Sequence, residues 1–319
     1  MKAAVLKNLG EAPTCDEFQE PVVNEGEAMV TVRAASLKPV DRQLADGSHF
    51  ASPRELPVVC GTDGVGTLDD DRRVFFGGTR PPFGTMAERA VVNRQFCFPV
   101  PDELDDATAA ALPNPGVSAW LTLSYRAKLK EGEDVLILGA TGVTGKLAVR
   151  IAKLQGAARV VAAGRNPQVL EGLRNSGADA TIRIDEEDEE LREAFAREAL
   201  NSRFDVIVDY LWGRPTEVLL SALTKKGFAT VSGETRLVQA GESAGATISL
   251  PAAVLRSTAL TILGTAGIPP REVLAEALNK VLALGAKGEL KIETERVPLA
   301  QVDRAWRHVQ SGTRTVIVP

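Results

Sequence analysis

The chain is poor in the residues that build metal centres and covalent frameworks. Its 319 residues include three cysteines and two histidines, His49 and His308. Cys15, Cys60 and Cys97 stand far apart, form no CxxC pair and are odd in number. This argues against a disulfide scaffold and a structural zinc lobe, and isolated thiols in a reducing cytoplasm are the simpler reading. Excess positive charge is missing too: 37 Lys and Arg face 42 Asp and Glu, a net charge of −5. No bulk attraction to nucleic acid or anionic lipid follows from that balance. The apolar stretch at the start is too short for a signal-peptide core. No run approaches the roughly 18 apolar residues that a membrane span needs. A soluble cytoplasmic protein with no nucleic-acid or membrane partner is therefore expected.

What is present is ordinary globular material, 44% hydrophobic and 25% charged, at a length that suggests about two domains. The first third reads as β-rich. Runs at 1–7, 28–35, 72–77 and 87–98 are cut by Gly, Pro and Asp, which predicts short strands. A short helix is expected at 105–111, a break at Pro113–Gly116 and a helix at 117–129. The texture then changes to strands at 134–138, 159–163, 180–184, 204–211, 227–232 and 261–264, separated by helical stretches. Such alternation predicts a parallel sheet with helical crossovers, here of six strands. The tail reads as a helix at 270–284, a strand at 290–297, a helix at 299–309 and a closing strand at 314–318.

The sharpest local motif joins the first of those six strands to its helix. Gly139, Ala140, Thr141, Gly142, Val143, Thr144 and Gly145 follow an apolar strand and open a helix. The spacing is GxxGxxG rather than GxGxxG. The physics is shared: residues without side chains let the backbone approach a pyrophosphate, and the helix N-terminus presents free N–H groups and partial positive charge. A tight turn that binds nothing is the plainer alternative, and the surrounding strands and helices weigh against it. An NAD site would place a carboxylate at the end of the second strand. There the chain has Ala163, Gly164, Arg165, Asn166 and Pro167. Arg165 offers a permanent planar cation suited to a 2′-phosphate, so NADPH is the expected cofactor; the alternative is an arginine simply exposed after a strand. Tyr210 and Trp212 follow the fourth strand, at the edge where open α/β sheets bind ligands. They either wall the nicotinamide or serve ordinary packing.

Motifs spread over nearly the whole chain resemble the medium-chain dehydrogenase/reductase superfamily, and within it the zinc-free quinone oxidoreductase branch of zeta-crystallin-like proteins. They are Met1-Lys-Ala-Ala-Val, Lys38-Pro-Val-Asp41 with Gly47, Gly61-Thr-Asp-Gly-Val-Gly66, Ala109-Ala-Ala-Leu-Pro113 and the glycine loop. Ser176-Gly-Ala-Asp-Ala180, Asp205-Val-Ile-Val-Asp209 and Arg314-Thr-Val-Ile-Val318 complete the set. The resemblance implies an α/β protein: a doubly wound parallel Rossmann sheet at 116–264, plus a twisted β-barrel-like, GroES-like catalytic domain from 1–115 and 265–319. It also implies a cleft between the two.

Departures from the family pattern carry information. Zinc-dependent relatives place a Cys ligand where Lys38 stands and a His–Glu pair where Thr62 and Asp63 stand, and a catalytic zinc needs three ligands of suitable type. No metal is expected. The branch commonly has Asn at the Lys38 position and Tyr at the Gln43 position. Lys38, with Asp41 orienting it, is the candidate catalytic cation, pointing into the cleft to meet negative charge on a substrate oxygen. An equally weighted alternative is a structural ion pair of Lys38 with Asp41 or Asp63. His49 is a candidate proton donor or, more simply, a solvated loop residue; His308 reads as surface or packing. Without a metal to hold an alkoxide, hydride transfer to a quinone or an α,β-unsaturated carbonyl is the expected chemistry. The alternatives are an enoyl-thioester reductase and a non-catalytic NADPH-binding regulatory or structural protein. Relatives commonly dimerise through the edge of the nucleotide-binding sheet, so 258–264 is the expected edge and a homodimer the expected assembly.

Overall fold

The computed structural model describes residues 1–201, 203–224, 233–265, 267, 269–308 and 312–319. The chain divides into two compact units, Met1–Asn114 with Leu278–Pro319, and Pro115–Ala277. The second unit runs past strand Leu260–Gly264, where the sequence suggests a boundary, into helix Arg271–Ala286, which contributes to both.

In the first unit a seven-stranded mixed sheet runs Thr294–Pro298, Arg314–Val318, Glu27–Ser36, Asp63–Leu68, Arg73–Gly77 and Cys97–Pro99, with Arg89–Asn93 also on Glu27–Ser36. Thr294–Pro298 and Arg314–Val318 are parallel, and the other pairs antiparallel. A smaller sheet of Thr14–Glu17, Lys2–Leu6 and Val58–Val59 completes it. Glu27–Ser36 shifts register against Asp63–Leu68 between Val32 and Ala34. The close approach needs glycine: a Cβ on Gly66 would lie 2.4 Å from the Thr31 carbonyl oxygen. Strands Thr14–Glu17 and Asp63–Leu68 and helix Pro39–Asp46 are absent from the expectations above. Asp63–Leu68 carries two glycines, which weaken a strand signal, and Pro39 opens its helix at the first turn, where proline is suited. The same holds at Pro113: in place of the expected break, a helix runs Pro113–Leu121 and continues as one wider π-type turn, Thr122–Arg126.

The second unit carries a six-stranded sheet in the order Ala180–Arg183, Arg159–Gly164, Asp134–Leu138, Val206–Asp209, Thr235–Gln239, Leu260–Gly264. Every pair is parallel. In chain order this is 3-2-1-4-5-6, the doubly wound arrangement whose direction reverses between Asp134–Leu138 and Val206–Asp209. Parallel neighbours need long crossovers, which explains the helices between them. Leu136, Leu138, Ile207 and Leu237 of the strands bury with Leu191 and Phe195 of helix Asp188–Asn201 and Leu219 of helix Gly213–Leu223. The strand expected at 227–232 lies outside the described residues. Thr235–Gln239 holds the fifth place, the arginine near its start being tied down: Arg236 donates to the Ala127 carbonyl at 2.6 Å and the Glu133 carboxylate at 2.6 Å. Leu260–Gly264 forms one edge of the sheet. Among the described residues no helix is long and apolar enough to cross a membrane.

Candidate functional site

At the reversal point the glycine loop leaves the carboxyl end of Asp134–Leu138. Gly139 turns with φ +85°, a left-handed conformation suited to glycine. The N–H groups of Gly139 and Ala140 donate to the Ala163 carbonyl at 2.9 Å each, which folds the loop against the second strand. Gly142 caps helix Val143–Leu154, and the first intrahelical bond comes from Lys146 N–H to the Gly142 carbonyl at 2.9 Å. The N–H groups of Val143, Thr144 and Gly145 therefore have no carbonyl ahead of them in the helix, and the helix dipole adds partial positive charge. Gly145 serves closure of the turn: a Cβ there would sit 2.2 Å from the Gly139 carbonyl oxygen and 2.6 Å from the Ala140 Cα.

The second strand ends on Gly164, where an added Cβ would meet Thr141 Cγ2 at 2.4 Å, so the glycine loop lies directly on this position. Arg165 and Asn166 are exposed. Asn166 caps helix Pro167–Arg174, its side-chain oxygen accepting Val169 N–H at 3.1 Å. That duty is structural, and the motif alone does not announce it.

After the fourth strand come Tyr210 and Trp212. The Cβ of Tyr210 is 3.2 Å from where a Cβ on Gly139 would be, so it stands beside the first loop glycine. The Tyr210 hydroxyl is buried with no hydrogen-bond partner among the described residues, and burial pushes its pKa up. Trp212 packs on the sheet core with φ 55° and ψ −165°, a region that is essentially glycine-only. Asp209 holds this turn. Fully buried, it accepts Leu211 N–H at 2.8 Å, Trp212 N–H at 2.9 Å and the Thr216 hydroxyl at 2.5 Å. Burial raises its pKa, against those three donors. A carboxylate ending an otherwise apolar strand is the only local sign of that role.

The candidate catalytic pair belongs to the first unit. Pro39–Asp46 starts immediately after Lys38, and Asp41 accepts Lys38 backbone N–H at 2.8 Å. The Lys38 side chain is 1% exposed. Its ammonium donates to Asp63 Oδ1 at 2.8 Å, the Ser36 carbonyl at 3.0 Å and the Ser36 hydroxyl at 3.4 Å, and lies 3.3 Å from Asp41 Oδ2. An ammonium has three donors, and these neighbours meet all three. Burial disfavours its charge, but Asp41 and Asp63 outweigh that and raise the Lys38 pKa. Arg314, also buried, donates to the Leu37 carbonyl at 3.2 Å, and its Nε has no hydrogen-bond partner among the described residues. Both carboxylates named in the structural alternative thus engage Lys38. Asp63 opens strand Asp63–Leu68, which is not among the strands expected from the sequence.

Other candidates are dispersed. His49 accepts Ala51 N–H on Nδ1 at 3.1 Å and stacks on the exposed ring of Phe50, centroids 4.3 Å apart. His308 ends helix Val302–Arg307, its carbonyl accepting Arg42 at 3.1 Å. Cys15 and Cys97 are half-buried, and burial pushes the Cys60 thiol up to about 12.

Similarity to known proteins extends over nearly the whole chain. A family model described as "Zinc-binding dehydrogenase" matches residues 143–283. The chain is 27% identical over 330 residues to "Quinone oxidoreductase-like protein 2" of Bos taurus, covering 98% of this chain and 90% of that protein. It is 29% identical over 239 residues to "2-methylene-furan-3-one reductase" of Solanum lycopersicum, covering 66% of this chain and 59% of that protein. Among solved structures, the quinone oxidoreductase of Thermus thermophilus, also solved with NADPH, superposes with a TM-score of 0.80 at 29% identity over the full length of both chains.

The residues around Lys38 do not suit a catalytic zinc, which takes three imidazole, thiolate or carboxylate ligands. They offer an ammonium already paired with two carboxylates. Among the described residues no three His, Cys, Asp or Glu gather into a metal-binding group.

Proposed function

This chain belongs to the medium-chain dehydrogenase/reductase superfamily, in its quinone oxidoreductase branch, and from that premise we propose that it reduces quinones or α,β-unsaturated carbonyls with NADPH and without zinc. The observation that carries the reading is the turn from Gly139 to Gly145, open to a pyrophosphate at the reversal point of a doubly wound sheet. The backbone of Gly139, Ala140, Thr141, Gly142, Val143 and Thr144 would cradle the pyrophosphate. Gly164, Arg165 and Asn166 would border the adenosine ribose, with Arg165 on the 2′-phosphate, and Tyr210 would line the site beside Gly139. Bound NADPH supplies the hydride. A conjugated acceptor suits a site with no metal, since the arriving charge spreads over its own π-system and needs one donor or a water rather than a Lewis acid.

Lys38 and Asp41 enter the reading as the fixed cation of the catalytic unit and the carboxylate that orients it. Donation from Lys38 to a substrate oxygen requires one of its bonds to Asp63 or Ser36 to be exchanged. The test is a screen of quinones, alkenals and enoyl thioesters for acceptor-dependent NADPH oxidation by protein freed of metal; consumption with none of them supports a non-catalytic NADPH-binding protein instead.

The proposed assembly is a homodimer. Leu260–Gly264 is an edge strand, and an unpaired edge offers backbone donors and acceptors to a second chain. Sedimentation at micromolar concentration is expected to give twice the chain mass, and a monomer would contradict it.

A further inference from the structure

Next to Arg165 lies a second arginine whose charge is already claimed. Strands Arg159–Gly164 and Ala180–Arg183 are parallel neighbours with Gly164 opposite Arg183, and Ile184 N–H donates to the Gly164 carbonyl at 3.1 Å. The ladder therefore sets the residues leaving one strand, Arg165 and Asn166, beside those leaving the other, Ile184 and Asp185. Arg183 grips Asp185 with both arms of its fork, Nε to Oδ1 at 3.2 Å and an Nη to Oδ2 at 2.7 Å. Its remaining Nη is 3.1 Å from Glu186. The Arg183 guanidinium and, more weakly, the Arg165 charge hold the Asp185 carboxyl below its usual range. The segment bearing Asp185 is also held by a third arginine. Arg214 donates to the Ile184 carbonyl at 3.1 Å, to Asp188 at 2.7 Å and to the Glu186 carbonyl.

We infer that Asp185, by occupying Arg183 and facing Arg165, sets how strongly the protein prefers NADPH over NADH. The inference rests on the proposed placement of the 2′-phosphate at Arg165. A 2′-phosphate arriving there meets the Arg165 guanidinium and, close by, a carboxylate of like sign. Arg183 has the planar two-donor geometry that phosphate favours, but Asp185 already fills it. Asp185 and Arg183 are thus specificity-determining residues: the carboxylate restrains a two-arginine phosphate clamp. NADH, with a hydroxyl in place of the phosphate, is nearly blind to that restraint.

The test measures binding of NADPH and NADH to wild type, Asp185→Asn, Arg183→Ala/Asp185→Asn and Arg165→Ala. All three side chains are exposed, so the variants should fold. Asp185→Asn is expected to tighten NADPH by roughly threefold to fivefold, the scale of one exposed charge interaction. NADH should stay within about twofold, and the gain should fade at high salt because exposed charges are screened. The double variant should lose most of the gain, because Arg183 is the group released, and keep only the part due to the removed like charge. The inference is overturned if Asp185→Asn leaves NADPH unchanged, moves both cofactors alike, or keeps its full gain without Arg183. Arg165→Ala separates the two layers: it should lower NADPH affinity selectively. If it lowers both equally or neither, the phosphate placement itself fails, and the inference with it.

Discussion

Lys38→Met should destabilise the catalytic unit by about 3–5 kcal/mol, the scale seen when one partner of a buried ion pair is removed. The reason is the arithmetic of the cluster. Lys38 is 1% exposed and is contacted by two carboxylates at 2.8 and 3.3 Å. Methionine matches its bulk but removes the ammonium that contacts both Asp41 and Asp63, leaving the Arg314 charge as their remaining counterweight. Urea unfolding followed by a probe in this unit checks the prediction. The pH dependence has a definite sign. The Lys38 pKa is raised above its ordinary 10.5, so on the alkaline side the pair is intact below that value, while on the acid side burial raises the Asp63 pKa and protonation of that carboxylate ends it. The contribution is lost as pH rises through the folded pKa, and the variant should lack this alkaline step. A different outcome identifies the other role. If stability holds and turnover falls by about 10²–10³, the scale for one lost oxyanion donor, Lys38 meets the substrate directly. Asp41→Asn should reduce turnover less than removal of Lys38, since Asp41 only orients it.

Gly145→Ala should abolish tight NADPH binding while costing only about 1–3 kcal/mol of stability, the usual range for overpacking. The added Cβ would fall 2.2 Å from the Gly139 carbonyl oxygen and 2.6 Å from the Ala140 Cα. Both neighbours are backbone, so the turn must move. Displacement of a phosphate cradle by about 1 Å disrupts its N–H geometry, and misplacements of that size cost on the order of 10²-fold in well-aligned sites. Gly172→Ala is the control. It lies in helix Pro167–Arg174 with nothing within 4 Å of an added Cβ, and should stabilise by about 0.5–1 kcal/mol without altering NADPH binding. Calorimetric titration of both variants checks the pair, and equal NADPH affinity in Gly145→Ala would remove the glycine loop from the proposed site.

The contrast between these two sites shows what a linear reading reaches. The glycine loop is legible because its parts are contiguous: an apolar strand, three glycines at fixed spacing and an amphipathic helix. The parallel sheet follows from the same alternation. Lys38 is different. Its partner Asp63 is 25 residues away, on a strand whose two glycines weaken its local signal, and pairing with both Glu27–Ser36 and Arg73–Gly77 makes that strand extended. Sequence therefore offers the ion pair and the catalytic cation on equal terms, and does not reveal that all three ammonium donors are occupied. Trp212 is another case. Nothing local announces a tryptophan in a glycine-only conformation; the cause is the Asp209 carboxylate receiving the Leu211 and Trp212 N–H groups. Pro113 and Pro39 illustrate an ambiguity of a third kind, since a proline marks equally well the end of one element and the first turn of the next.

The most direct measurement is NADPH oxidation by protein dialysed against chelator, with its zinc content determined on the same sample and a simple quinone and an alkenal as acceptors. The proposed function predicts acceptor-dependent turnover, faster with NADPH than with NADH, at zinc far below one atom per chain. Turnover that disappears on chelation and returns only with stoichiometric zinc would contradict it.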